Sequence, residues 1–65
     1  MADGFYKDLI KELARLGYLF HTSAKGSHEK WKHGMSGKVL LVPHNLYSRH
    51  TANGILKDAG STHKF

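Results

Sequence analysis

The chain contains no cysteine, which excludes disulfide staples and thiolate metal sites and leaves stability to one small hydrophobic core. The same absence favours a cytoplasmic setting. In 65 residues there is room for a single domain, because a domain of this size buries only about 60% of the surface its unfolded chain exposes. Long apolar runs are missing too. No stretch approaches the roughly 18 residues of a membrane span, and the N-terminal region lacks the run of about 7–15 apolar residues that a secretory signal requires. A soluble protein without an export signal is expected. Acidic residues are scarce, five Asp and Glu against ten Lys and Arg, for a formal charge of +5. That imbalance points to a polyanionic partner, with nucleic acid the first candidate and an acidic protein the second. No linker, repeat or low-complexity segment interrupts the chain.

From Asp3 to Leu16, the residues Phe5, Leu9, Ile10, Leu13 and Leu16 recur at spacings of three and four, the stripe of an amphipathic helix. Lys7, Lys11, Glu12 and Arg15 fall between them and face solvent. Asp3 suits the N-cap, and Gly17 can take the positive φ that stops the helix. Tyr18 to Thr22 is aromatic, β-branched or apolar and runs into Ser23-Ala24-Lys25-Gly26, a strand ending in a turn. Ser27 to His33 reads as a second strand, Gly34-Met35-Ser36-Gly37 as a hairpin turn, and Lys38 to Val42 as a third strand. Pro43, the only proline, ends it, because proline cannot donate to the ladder. A second helix spans about Arg49 to Ala59, with Ile55, Leu56 and Ala59 on one side, Ser48 or Thr51 as cap and Gly60 as stop. Gly54 within it costs roughly 1 kcal/mol relative to alanine, so packing must hold that helix. The order is helix, three-stranded antiparallel meander, helix, an α+β fold in which both helices cover one face of the sheet. The last few residues, His63 among them, read as a mobile tail.

The stretch richest in chemistry is Lys25-Gly26-Ser27-His28-Glu29-Lys30-Trp31. Cleaving RNA through its own 2′-hydroxyl requires a group to take the hydroxyl proton, a group to protonate the leaving 5′-oxygen, and positive charge near the phosphorane. No metal is strictly needed. Histidine titrates near neutrality, and positioned proton transfer is worth roughly 10²–10⁴ in rate. In a strand starting near Ser27, His28, Lys30 and Lys32 share one face and Glu29, Trp31 and His33 the other. With Trp31 in the core beneath the helices, His28 lies on the open face beside two lysines that can bind phosphate. Gly26 lets the backbone approach a ligand, and Lys25, Ser27 and Arg49 are further phosphate contacts, Arg49 at a helix N-terminus with Tyr47 and His50 nearby. One histidine cannot be both acid and base in one concerted step. His21, His33 and His44 are all candidates for the second role, and spacing does not choose among them.

Six histidines invite a metal site. The spacings His28-x₄-His33 and His44-x₅-His50 lack cysteine or clustered carboxylate support and the i, i+4 helical arrangement, so none is expected.

The succession Leu16-Gly17-Tyr18, Lys25-Gly26-Ser27-His28 with Trp31 three residues on, Val42-Pro43-His44, and Thr51 with Ile55-Leu56-Lys57-Asp58-Ala59-Gly60 resembles the HicA toxin family. The likeness covers nearly the whole chain. It implies a fold similar to the double-stranded RNA-binding domain and an mRNA interferase activity without a cofactor. It also implies His28 as catalytic residue and neutralisation by a HicB-type antitoxin. The chain departs from the family pattern at Glu29, where a second histidine often follows the first, and at His44, which falls one residue earlier than the family's histidine after the proline. A non-catalytic RNA-binding module of the same fold is the other class the sequence allows. It would read A-form shape through lysines and would not need His28.

Overall fold

The computed structural model describes residues 4–65. Helix α1 spans Tyr6–Arg15, followed by strands β1 (Tyr18–Ser23), β2 (His28–His33) and β3 (Val39–Pro43) and helix α2 (Arg49–Asp58). The strands form one antiparallel sheet in the order β1-β2-β3. The α-β-β-β-α order and the placement of both helices are those expected from the sequence.

The core lies between the helices and one face of the sheet. Leu9 and Leu13 of α1, Ala52 and Leu56 of α2, Tyr18, Trp31, Leu40 and Val42 of the sheet, and Leu46 from the β3–α2 connection are buried. Phe5, Ile10, Leu16, Ile55 and Ala59 complete it from the margins. Each fully buried leucine contributes roughly 1.5–3 kcal/mol by leaving water.

Helix α1 begins later than the periodicity alone suggests. Asp3, expected as its cap, lies outside the described residues. The helix instead starts after Phe5, which makes no side-chain cap but donates its backbone N–H to the Leu46 carbonyl at 2.7 Å. A partner distant in sequence thus takes one of the donors a helix start leaves free. Helix α2 has the local cap: the Ser48 hydroxyl accepts the Thr51 N–H at 3.3 Å. Gly17, with φ of +99°, ends α1.

Strand β2 pairs with β3 in unbroken register from His28↔Pro43 to Lys32↔Val39. Pro43 is the last residue of β3 rather than the first beyond it, which an edge strand tolerates. Between β1 and β2 the register slips at His21: Phe20 pairs with Trp31, but Thr22 pairs with Lys30. The extra residue is a β-bulge, and it exchanges the two faces for the remainder of β1. The outer face therefore carries Leu19, Lys32 and Val39 in one row and Thr22, Lys30 and Leu41 in the next. Among the described residues no helix covers this side, and Leu19, Val39 and Leu41 remain exposed.

The C-terminal residues, expected as a mobile tail, are placed against the helices. The Ser61 hydroxyl donates to Glu12 Oε2 at 2.7 Å and the Phe65 N–H to Asn53 Oδ1 at 2.9 Å. The Phe65 ring sits 5.1 Å from that of Phe5. Glu12 also takes a bidentate bond from Arg15, at 2.9 and 2.6 Å. These partners, Arg15 first and Ser61 second, pull the Glu12 carboxyl down to about 2 from its usual 4.5.

Candidate active site

The turn between β1 and β2 shapes the site. His28 donates its N–H to the Lys25 carbonyl at 3.3 Å, closing a four-residue turn in which Gly26 has φ of +66° and Ser27 does not share the positive sign. Glycine first and an ordinary residue second is the pattern of a type II′ turn. A Cβ on Gly26 would meet nothing within 4 Å. The glycine is therefore required by its backbone angle and not by close packing.

On the other side, the chain leaving β3 is tied to the same turn. The His44 N–H donates to the Ser27 carbonyl at 2.7 Å, extending the β2–β3 ladder one bond past Pro43. Between these segments lies a shallow cleft of about 240 Å³ lined by Ser23, Gly26, Ser27, His28, Glu29, His44 and Asn45. Its wall is polar and its two histidines are exposed.

The floor of the cleft is anchored in the core. Glu29 points to the helix side of the sheet, where one carboxylate oxygen, Oε1, accepts both the Tyr6 hydroxyl at 2.7 Å and the Trp31 indole N–H at 3.0 Å. Burial, and then the Glu29 bond and charge, push the Tyr6 phenol up to about 12 from 10.0. The Tyr6 ring in turn lies against the His44 imidazole, with centroids 4.6 Å apart. The first residue of α1 therefore supports a side chain that follows β3, using the carboxylate that stands beside His28 in sequence.

Of the residues read from the sequence, Gly26, Ser27 and His28 line the cleft, while Lys25 is exposed in the turn that borders it. Lys30 and Lys32 share the outer face with His28, as the alternation requires, but along a strand they stand roughly 7 and 13 Å from it. Arg49 opens α2 and is exposed, outside the cleft lining.

The remaining histidines separate clearly. His33 has both ring nitrogens engaged: Nε2 donates to the Leu16 carbonyl at 3.0 Å, and Nδ1 accepts the N–H groups of Met35 and Ser36, each at 3.1 Å. Its ring also meets Tyr18 edge-on at 5.0 Å. It is a clip between α1 and the β2–β3 turn, at the end of β2 away from His28. His21 occupies the bulge, His50 lies in α2, and His63 borders two depressions along the C-terminal segment. Among the described residues, His44 is the one other histidine that lines the cleft with His28. Sequence reasoning left His44 undistinguished and missed Glu29 and Tyr6, whose connection crosses 23 positions.

Fold and cleft together define a small, basic α+β domain with a two-histidine polar cleft at one end of an open sheet. The family model described as HicA toxin of bacterial toxin-antitoxin matches residues 6–61. The chain belongs to that family, and with it to the toxin side of toxin–antitoxin pairs. No curated protein and no solved structure matches it. Among the described residues, no helix is long and apolar enough to cross a membrane.

Proposed function

We propose that this toxin is a metal-independent endoribonuclease, an mRNA interferase acting in the cytoplasm, which cleaves RNA with His28 as catalytic residue and is neutralised by a HicB-type antitoxin. The observation that carries the reading is the exposed His28 in a polar cleft, on the same face as Lys30, in a family of toxins. RNA brings its own nucleophile in the 2′-hydroxyl, so proton transfer and charge stabilisation are the tasks left to the protein.

In this reading, the Lys25–Ser27 turn and Lys30 hold the phosphate at the point of cleavage. Lys32 and Arg49 bind the RNA backbone to either side. The antitoxin that silences the site meets a surface in which lysines alternate with exposed Leu19, Val39 and Leu41. Acidic side chains interspersed with apolar ones complement such a surface.

The test is incubation of the purified chain and its His28→Ala variant with a long single-stranded RNA in EDTA, followed by mapping of fragment ends. Cleavage by the wild type alone, leaving 5′-hydroxyl ends, is expected. Binding without cleavage by either protein would refute the enzymatic reading in favour of a non-catalytic RNA-binding module.

A further inference from the structure

Resting on the ribonuclease reading, we infer that His44 is the second proton-transfer group of the site and donates the proton to the leaving 5′-oxygen. The structure narrows the choice by position. His33 has both nitrogens committed to backbone partners, and His21, His50 and His63 lie outside the cleft. His44 lines the cleft with His28 and is fixed at its backbone by the bond to Ser27, the residue before His28.

The support around His44 comes from Tyr6 and, through it, from Glu29. Its ring packs against the Tyr6 ring at a tilt of 50° with centroids 4.6 Å apart, which holds the imidazole at the cleft wall. The hydroxyl of that same tyrosine is bound to the Glu29 carboxylate, which also lines the cleft. On the outer face, by contrast, His28 is followed at the next position of the same parity by Lys30. The carboxylate thus reaches His44 through the Tyr6 side chain, while the lysine follows His28 along the outer face. Glu29 and Tyr6 are positioning residues in this arrangement.

The step balances without any co-reactant. The 2′-oxygen forms a bond to phosphorus as its proton passes to the neutral His28 ring. The bond from phosphorus to the 5′-oxygen breaks, and the departing oxygen takes its proton from the protonated His44 ring. The products are a 2′,3′-cyclic phosphate and a 5′-hydroxyl, and exchange with water returns both rings to their starting states.

The experiment compares two RNA substrates that differ only in the scissile 5′-atom, oxygen in one and sulfur in the other, because a thiolate leaves without protonation. His44→Gln keeps a hydrogen-bonding side chain of similar size but cannot donate a proton in this way. It is expected to lower kcat on the oxygen substrate by roughly 10²–10⁴. On the sulfur substrate it should stay within about threefold of wild type, with KM little changed on either. His28→Ala should be slow on both.

Equal slowing of His44→Gln on the two substrates, or a change confined to KM, would overturn the role of His44 while leaving His28 and the ribonuclease reading in place. Failure of the wild type to cleave the oxygen substrate would overturn both. Circular dichroism and thermal unfolding check that the variant is folded. Should His44→Gln unfold, His44→Asn carries the same comparison with a shorter side chain.

Discussion

Replacing Gly17 with alanine probes the joint between α1, β1 and the far end of β2. Two costs combine there. A residue with a side chain loses roughly 1–2 kcal/mol in the left-handed region, and Gly17 has φ of +99°. The added methyl would also stand 2.9 Å from His33 Nε2 and 3.3 Å from its Cδ2, so the imidazole must move. That ring holds the Leu16 carbonyl and two turn N–H groups, each bond worth about 0.5–1.5 kcal/mol. Loss of one or two of them brings the expected destabilisation to about 2–4 kcal/mol. A chain of this size has a total stability of only roughly 3–10 kcal/mol. Thermal unfolding followed by circular dichroism should therefore fall by roughly 10–25 °C, at about 4–8 °C per kcal/mol. Repeating the substitution in a His33→Ala background removes the ring and isolates the backbone part, so the cost should drop by about 1 kcal/mol or more. An effect below about 0.5 kcal/mol, or the same cost in both backgrounds, would refute this account. Because the clip lies at the end of β2 away from the cleft, cleavage per folded molecule should be unchanged at low temperature.

The Glu12 carboxyl is held near 2 in the fold against 4.5 in the open chain, so its contribution to stability is fully present above about pH 5 and is lost as pH falls from 4.5 toward 2. Urea unfolding of wild type and Glu12→Gln should show a gap at pH 6 that closes by pH 2; a gap independent of pH would contradict the assignment. Gly54 lies within α2 with nothing within 4 Å of an added Cβ, so Gly54→Ala should raise stability by about 0.5–1 kcal/mol, visible as a higher Tm. Lys30→Ala and Lys32→Ala should each weaken RNA binding and lower the slope of log K against log salt by about 0.7 for a single strand, measured by fluorescence anisotropy. Of the two, only Lys30→Ala should also lower kcat, given its place next to His28 on the outer face.

Periodicity made α1 legible because Leu9 and Leu13 fall on one stripe, and it found α2 through Ile55, Leu56 and Ala59, although the structure buries Ala52 with Leu56 and leaves Ile55 and Ala59 at the margin. Alternation did the same for β2, where the burial of Trp31 places His28, Lys30 and Lys32 outward. The bulge at His21 left no such trace. It has no glycine to mark it, and it is set by how β1 must reach both Tyr18 and Ser23 positions against β2. The start of α1 was equally hidden, since Phe5 is satisfied by Leu46, a backbone partner 41 positions away. In the cleft, the turn at Gly26 and the position of His28 follow from local chemistry. That His44 lines the same cleft as His28 depends instead on the register of β3. The bonds of Glu29 and Tyr6 depend on α1 setting Tyr6 against the end of the sheet.

The two edges of the sheet are not equivalent toward another strand. Along β1, the bulge at His21 interrupts the spacing of N–H and C=O groups, so a neighbouring strand cannot dock along its full length. Strand β3 keeps regular spacing from Val39 until Pro43, with aliphatic Val39 and Leu41 exposed beside its free edge. Self-association through strand addition is therefore directed to one side of the molecule, and its onset at high concentration should respond to a charge placed at Val39 and not to one at Leu19.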